Sequence, residues 1–387
     1  MSVGVKSFNG HRLIQAKNAR GLTSVSLSEM VDISTASISL YEKGVQKPKL
    51  DVLERIATVL NVPVSFFFND IQIEKPKKLF YRSMSSATKI SRTKAEAQYE
   101  WVLEIIDYLM EFFDFPELNL PDIDVPDNFR LLDSNQIESI AQKVRDYWGL
   151  GSSPIANIVR TLESNGIVVW RTAFEAETLD AFSEYRKPHP IIVLSSDKTN
   201  YFRSRFDAPH ELGHLILHRN IDQTTLNKST DFKIIENQAH LFAAAFLLPS
   251  VSYSNDLWSP TLDAFRSLKP RWNVSIAMQI MKCKHLGLIN EDQEKRLWIN
   301  LNRRKWKTSE PLDDSTPVEM PNLISKSIKM LIEKNIKSKE QIANDLSFHL
   351  SEIERICELP SGFMRGKQDI DQPTLKQQGS NILKFSR

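Results

Sequence analysis

The sequence predicts a mainly α chain with a small central β-sheet, an α+β fold. Three observations lead there. Apolar residues recur at helical spacing over most of the chain, only two short β-branched runs occur, at 167–170 and 191–194, and prolines cut the helical stretches into separate groups. At 387 residues the chain is too long for one compact core, so two or three domains are expected.

Residues 7–70 read as a compact all-helical unit, with short amphipathic segments punctuated by Pro48 and Pro63. A connector follows at 71–94, and between Lys75 and Lys94 it holds seven basic residues and no acidic one. Trp101, Ile105, Tyr108, Leu109 and Phe112 place a helix over 95–113, and Pro116, Pro121 and Pro126 make the next stretch extended. A second helix is expected over 134–147. Gly166 leads into the strand Ile167–Trp170, and Pro190 leads into Ile191–Leu194. The pattern is helical again from about 200 to 301, and Trp258, Trp272, Trp298 and Trp306 read as core anchors there. Pro311, Pro317 and Pro321 mark 307–321 as a linker, helices resume at Asn322, and the polar tail 367–387 reads as disordered. The domain division is therefore 7–70, a connector and helical linker at 71–130, a central domain at 131–306, and a C-terminal helical region at 322–366.

With 41% hydrophobic and 25% charged residues, the composition is that of an ordinary soluble protein. The net charge of +2 is too small to argue for or against a nucleic-acid partner. Cys283 and Cys357 lie far apart and outside any metal-ligand spacing, which argues against a disulfide framework. The first ten residues lack the apolar run of a signal peptide, and the longest apolar stretch, Leu241–Leu248, is too short to span a bilayer. A cytoplasmic protein with no membrane partner is expected.

The strongest chemical signal is His210-Glu211-Leu212-Gly213-His214. Histidines at i and i+4 share one helix face, so both imidazoles can reach one zinc ion (Zn2+), and Glu211 beside the first can take a proton from the attacking water. Pro209 suits the first turn of such a helix. Catalytic zinc needs a third protein ligand. Glu236 is the favoured candidate, at the start of a second helix whose Ala239, Ala243 and Ala244 would allow close packing. His218, His240 and Asp231 compete with it. His218 lies two turns from His210, too far for the same ion, and His240 could orient a ligand instead.

The run Arg203-Ser204-Arg205-Phe206-Asp207-Ala208-Pro209-His210-Glu211-Leu212-Gly213-His214-Leu215-Ile216-Leu217-His218, together with 236–249 and 268–275, resembles the ImmA/IrrE family of metallopeptidases. The resemblance implies a zincin-like peptidase domain, zinc as cofactor, Glu211 as general base and Glu236 as the third ligand after His210 and His214. Pro209 departs from the family, which more often has alanine there. Known members cleave DNA-binding repressors, so a repressor is the implied substrate class.

Leu13, Gly21-Leu22, Leu27, Met30, Ile33-Ser34, Ile38, Tyr41-Glu42, Gly44, Pro48, Leu53, Ile56, Leu60 and Val62 resemble the phage-repressor (XRE) type of helix-turn-helix, a five-helix domain. Ser34 would cap the recognition helix, and Thr35, Ala36, Ser37 and Leu40 would face base edges. These side chains offer few bidentate base contacts, so Lys43, Lys47, Lys49 and the basic connector should carry most of the contact, to phosphate. The expected partner is double-stranded operator DNA bound by a homodimer.

Joined, the two resemblances imply a DNA-associated regulator with zinc-dependent peptidase activity. Its protein partner would be a repressor or a toxin partner, in a mobile-element, stress or toxin-antitoxin setting. The alternative is a non-enzymatic, antitoxin-like repressor whose zincin-like domain binds a partner or ligand. A cytosolic peptidase needs restraint. Either the Pro-rich segment 115–129 or the region after 322 could cover its cleft.

Overall fold

The computed structural model describes residues 5–70, 88–175, 180–197, 200–226 and 228–365. Most of the basic connector and the C-terminal tail fall outside these residues.

The chain opens with four helices, α1 (Gly10–Ala19), α2 (Ser24–Met30), α3 (Thr35–Glu42) and α4 (Leu50–Leu60), and a 3-10 helix at Val64–Phe68 stands where a fifth helix is expected. Asn9, Thr23 and Ser34 accept from backbone N–H groups at the starts of the first three, which fixes the chain direction at each turn. Leu13, Leu27, Ile38, Leu53, Ile56 and Leu60 are fully buried between them.

A long helix, α5 (Lys89–Met110), begins six residues earlier than the spacing of its apolar residues suggests, because Thr88 caps it. It is the spine of the molecule. One side holds the N-terminal helices: Arg12 pairs with Glu104, Gln15 donates to Glu100 at 2.9 Å, and Gln98 donates to the carbonyl of Ala19 at 3.0 Å. The other side meets the sheet, where Tyr99 donates to Glu184 at 2.6 Å and stands edge-on to Phe182.

After α6 (Ser134–Tyr147) and α7 (Ile158–Ser164) come β1 (Val168–Thr172), β2 (Ala181–Glu184) and β3 (Ile191–Ser195). β3 lies in the middle, parallel to β1 and antiparallel to β2. The expected strands are present, and β2 is an addition. The strands are buried on both faces, and alternate side chains feed two cores. Val168, Trp170, Phe182, Ile191 and Val193 face α5; Val169, Ala181, Ile192 and Leu194 face the helices that follow. At Gly166 the chain approaches the 115–129 stretch so closely that a Cβ would stand 2.4 Å from the carbonyl oxygen of Glu117.

The second core is closed by α8 (Tyr201–Leu217), the short α9 (Gln223–Leu226) and α10 (Ser229–Leu247). Two positions on these helices differ from expectation. Pro209 lies inside α8, not in its first turn, because Asn200 caps the helix nine residues earlier. Glu236 lies mid-helix in α10 instead of opening it. A third core gathers α11 (Ser250–Asp256), α12 (Leu262–Trp272), α13 (Ile276–His285) and α14 (Glu291–Arg303) around Tyr253, Phe265 and Trp272. Trp298 and Trp306 pack against it, but Trp258 is 72% exposed and anchors nothing.

The stretch expected to be a linker, 307–321, is strapped to the surface by buried charges. Glu310 and Asp313 clamp the Lys269 ammonium, Glu310 also accepts from Ile276 and Ala277 at the start of α13, and Glu319 pairs with Arg205. Prolines gave this segment the look of a linker, and its carboxylates hold it down. Then α15 (Leu323–Glu333), α16 (Lys339–Leu346) and α17 (Leu350–Ile356) return to the first core. Phe348 packs on Phe66 and Trp101, Trp170 donates to the carbonyl of Ile356 at 2.9 Å, and Arg20 pairs with Glu352 at 3.0 Å.

Candidate metal centre

The two histidines of the 210–214 motif sit one turn apart on α8, under the sheet. Gly213 lets α10 come close: a Cβ there would meet Phe242 at 3.1 Å and the Cα of Ala239 at 3.3 Å. This contact brings Glu236 to the histidines. His210 Nε2 and His214 Nε2 are 3.1 Å apart, and the Glu236 carboxylate oxygens lie 3.3 Å from His214 Nε2 and 3.6 Å from His210 Nε2. Tetrahedral zinc with bonds of about 2.0–2.1 Å requires its ligand atoms about 3.3–3.4 Å apart. The spacing of the three side chains therefore fits one zinc ion.

Electrostatics agree with that donor set. Burial lowers His214 to about 4, so its imidazole is neutral. Burial opposes ionisation of Glu236, yet hydrogen bonds with His210 and His214 hold its carboxyl far below the usual carboxylate range. Glu211 is buried, and burial pushes it up to about 7 against the pull of His210 and a hydrogen bond from Ser183. Ser183 Oγ, on β2, donates to Glu211 Oε2 at 2.6 Å. The strand that the sequence hides thus supplies the group that aims the carboxylate.

Of the competing ligands, Asp231 is taken by Arg130. His240 lies against His210, with ring centroids 4.5 Å apart, and its Nδ1 donates to the carbonyl of Glu236 at 2.7 Å. It could join an alternative set with His210 and Glu236. His218 is fully buried behind His214, with its Nδ1 3.0 Å from His214 Nδ1.

A cleft of about 680 Å³ opens beside the centre, between α8, α10, α13 and α14. Phe206, Leu241, Ala244, Met278 and Trp298 make it apolar, and His240 lies on its metal side. Among the described residues, none that lines it belongs to 115–129 or to the region after 322. The C-terminal helices instead sit on the opposite face of the sheet.

On the N-terminal helices, Ser34, Thr35, Ala36, Lys43, Lys47 and Lys49 are exposed, and Ser37 and Leu40 are half-buried. Ser34 Oγ caps α3 by accepting from Ser37 N at 3.1 Å. Lys47 also donates to the carbonyl of Lys6.

Two family descriptions match the chain, Helix-turn-helix over residues 13–67 and IrrE N-terminal-like domain, of the M78 peptidases, over residues 162–284. The chain carries an XRE-type helix-turn-helix domain followed by an IrrE/ImmA-like domain. The second match spans the sheet, the motif helix, Glu236 and most of the cleft's lining. Uncharacterized HTH-type transcriptional regulators of Sinorhizobium medicae and Rhizobium meliloti are each 38% identical over 61 residues, 16% of this chain and 44% of theirs. One of Rickettsia prowazekii is 25% identical over 89 residues, 23% of this chain and 68% of its own. The chain thus spans under half the length of the first two relatives. Among the described residues no helix is long and apolar enough to cross a membrane.

Proposed function

We propose that this chain is a DNA-associated regulator whose IrrE-like domain is a zinc-dependent peptidase acting on a repressor or antitoxin-like protein in a mobile-element, stress or toxin-antitoxin setting. The observation that carries the reading is the cluster of His210, His214 and Glu236 donor atoms, 3.1–3.6 Å apart, with the buried Glu211 carboxylate beside the two histidines and an apolar cleft that begins at the neighbouring His240. Zinc, when bound, supplies a Lewis acid that polarises the scissile carbonyl. Glu211 takes the proton of the attacking water and returns it to the leaving amine. Ser183 holds the carboxylate in line, and burial gives it the proton affinity that such a shuttle needs. The cleft accepts the apolar side chains of an extended peptide.

The helix-turn-helix domain would hold the chain, as a homodimer, at operator DNA. The relatives' description as transcriptional regulators supports this part. Exposed Lys43, Lys47 and Lys49 flank an α3 face of small side chains, so phosphate contacts dominate and binding falls steeply with salt. Replacing the three lysines by Gln should reduce the salt dependence by about three charges' worth, read by titrating full-length protein on its own promoter at several salt concentrations.

Elemental analysis of the purified chain should find zinc, and His210→Ala should lose it. Glu211→Gln should keep zinc and fold while cleavage of the partner repressor falls by at least about a hundredfold. A wild-type protein that binds zinc yet cleaves neither a neighbouring repressor nor an antitoxin would favour the non-enzymatic, antitoxin-like repressor.

A further inference from the structure

We propose that a cavity between the helix-turn-helix unit, the spine helix α5, the sheet and the C-terminal helices binds a small organic oxyanion, a carboxylate or a phosphate, that also carries an O–H or N–H donor. The cavity holds about 570 Å³ and is lined by Arg20 at the end of α1, Lys94 and Gln98 on α5, Arg171 on β1, Arg355 on α17 and Glu358 just past it. It shares no lining residue with the cleft beside the metal centre.

Arg171 carries the argument. Its side chain is buried, Nη1 donates to the carbonyl of Ser195 at 2.8 Å, and Nε has no partner among the described residues. Burial works against its charge, and Glu358, Asp207 and Glu319 oppose that only from beyond ion-pair distance. Other buried cations of the fold are better compensated. Arg12, Arg205 and Lys269 each meet a carboxylate, and Arg145 gives Nε, Nη1 and Nη2 to backbone carbonyls. A buried cation is costly unless a counter-charge and hydrogen bonds offset the hydration it has lost, so Arg171 calls for an anion.

The neighbouring groups define that anion. Arg20 and Arg355 share the carboxylate of Glu352, and Lys94 pairs with Glu175, whose side chain is largely exposed. With Arg171 added, the cations at the cavity outnumber the carboxylates Glu352, Glu175 and Glu358 around them. Gln98 adds a second demand. Its Nε2 donates to the carbonyl of Ala19 at 3.0 Å, which fixes that end of the amide and leaves Oε1 as an acceptor. This Oε1 is buried without a partner among the described residues, and Glu358 Oε2 is likewise open. A buried acceptor needs a donor, so the ligand must bring an O–H or N–H as well as its negative charge. One molecule held there would link α1 to α5, β1 and α17.

Calorimetric titration of the full-length protein with two probe pairs tests the site: malate against succinate, and glycerol 3-phosphate against ethyl phosphate. Within each pair only the first member has an alcohol hydroxyl. The hydroxyl-bearing member of at least one pair should bind at least about tenfold more tightly than its partner, which leaves Gln98 Oε1 unpaired. Which pair wins tells carboxylate from phosphate. Gln98→Met should erase the preference, and Arg171→Met should weaken binding at least about tenfold. Lys43→Gln, on the exposed helix-turn-helix surface, should leave it unchanged. The proposal is overturned if neither malate nor glycerol 3-phosphate binds saturably, or if affinities are equal within both pairs. Binding that survives Arg171→Met, or is lost in Lys43→Gln, overturns it as well. Should Arg171→Met fail to fold, Arg355→Gln at the exposed rim should still weaken the winning probe severalfold, and unchanged affinity there counts equally against the site. None of these readings uses zinc, a peptide or DNA, so failure here and failure of the peptidase reading are separate results.

Discussion

Glu358 stands where α17 ends, in a left-handed conformation at φ 53°, with Oε1 accepting from Arg171 N at 3.1 Å. Burial pushes its carboxyl from 4.5 up to about 8, against the opposing pull of Arg171. Between those values the folded chain keeps a proton that the unfolded chain has released. Its contribution to stability is whole below the unfolded value and is lost as pH rises toward 8. Glu358→Gln keeps the acceptor for Arg171 and removes the ionisation. The variant should lose the wild type's decline in stability between pH 5 and 8, and at pH 8 it should be the more stable by on the order of 1–3 kcal/mol. Urea unfolding of both proteins at pH 5, 6.5 and 8 measures this, and parallel pH profiles would refute it. The same scale shows what a sequence can display. His210, Glu211 and His214 are legible because covalent helical spacing alone brings them together. Ser183 is not, since a lone serine reaches Glu211 only because its strand folds against α8.

At the scale of elements, the metal centre depends on how closely α8 and α10 approach. Gly213 faces Phe242 and the backbone of Ala239, and backbone cannot swing aside as a side-chain tip can. Gly213→Ala would gain about 1 kcal/mol of helix propensity and spend it on crowding; Gly213→Val would add branched bulk with no such gain. The valine variant should destabilise the protein by about 1–3 kcal/mol and weaken zinc binding, because displacing α10 carries Glu236 away from the histidines. Thermal melts with and without zinc check both effects, and an unchanged zinc affinity would show that the helices can separate without opening the triangle. The small residues of α10 were readable as a packing surface in the sequence. The strand β2 was not: Ala181-Phe182-Ser183-Glu184 has no β-branched residue, and its pairing partner β3 lies after a loop. Pro209 misled in the same way, since tertiary packing carries α8 through a residue that local propensity places at a helix start.

For the whole molecule, the division into a helix-turn-helix unit, an IrrE-like domain and a C-terminal appendage describes the order of the chain better than its packing. One core runs from Leu13 and Phe66 through Trp101 to Trp170, Phe348 and Ile353. The C-terminal helices complete that core; they do not cover the cleft. Residues 307–321 are not a free linker either, since Glu310, Asp313 and Glu319 hold buried cations on α12 and α8. A chain truncated after Pro321 would uncover Trp101, Phe66 and Trp170 and strip Arg20 of Glu352. It should therefore lose thermal stability and expose apolar surface, read by dye binding, with no gain in cleavage of a partner repressor. Internal substitution makes the same test more gently. Phe348→Ala deletes a ring packed on both Phe66 and Trp101, at a cost of about 3–5 kcal/mol. Because that ring touches the helix-turn-helix core and the spine helix together, the variant should weaken DNA binding and thermal stability in step while the zinc content of the folded fraction holds. A variant that lost stability yet bound operator DNA as wild type at the same temperature would mean that the N-terminal helices fold independently of the core they share.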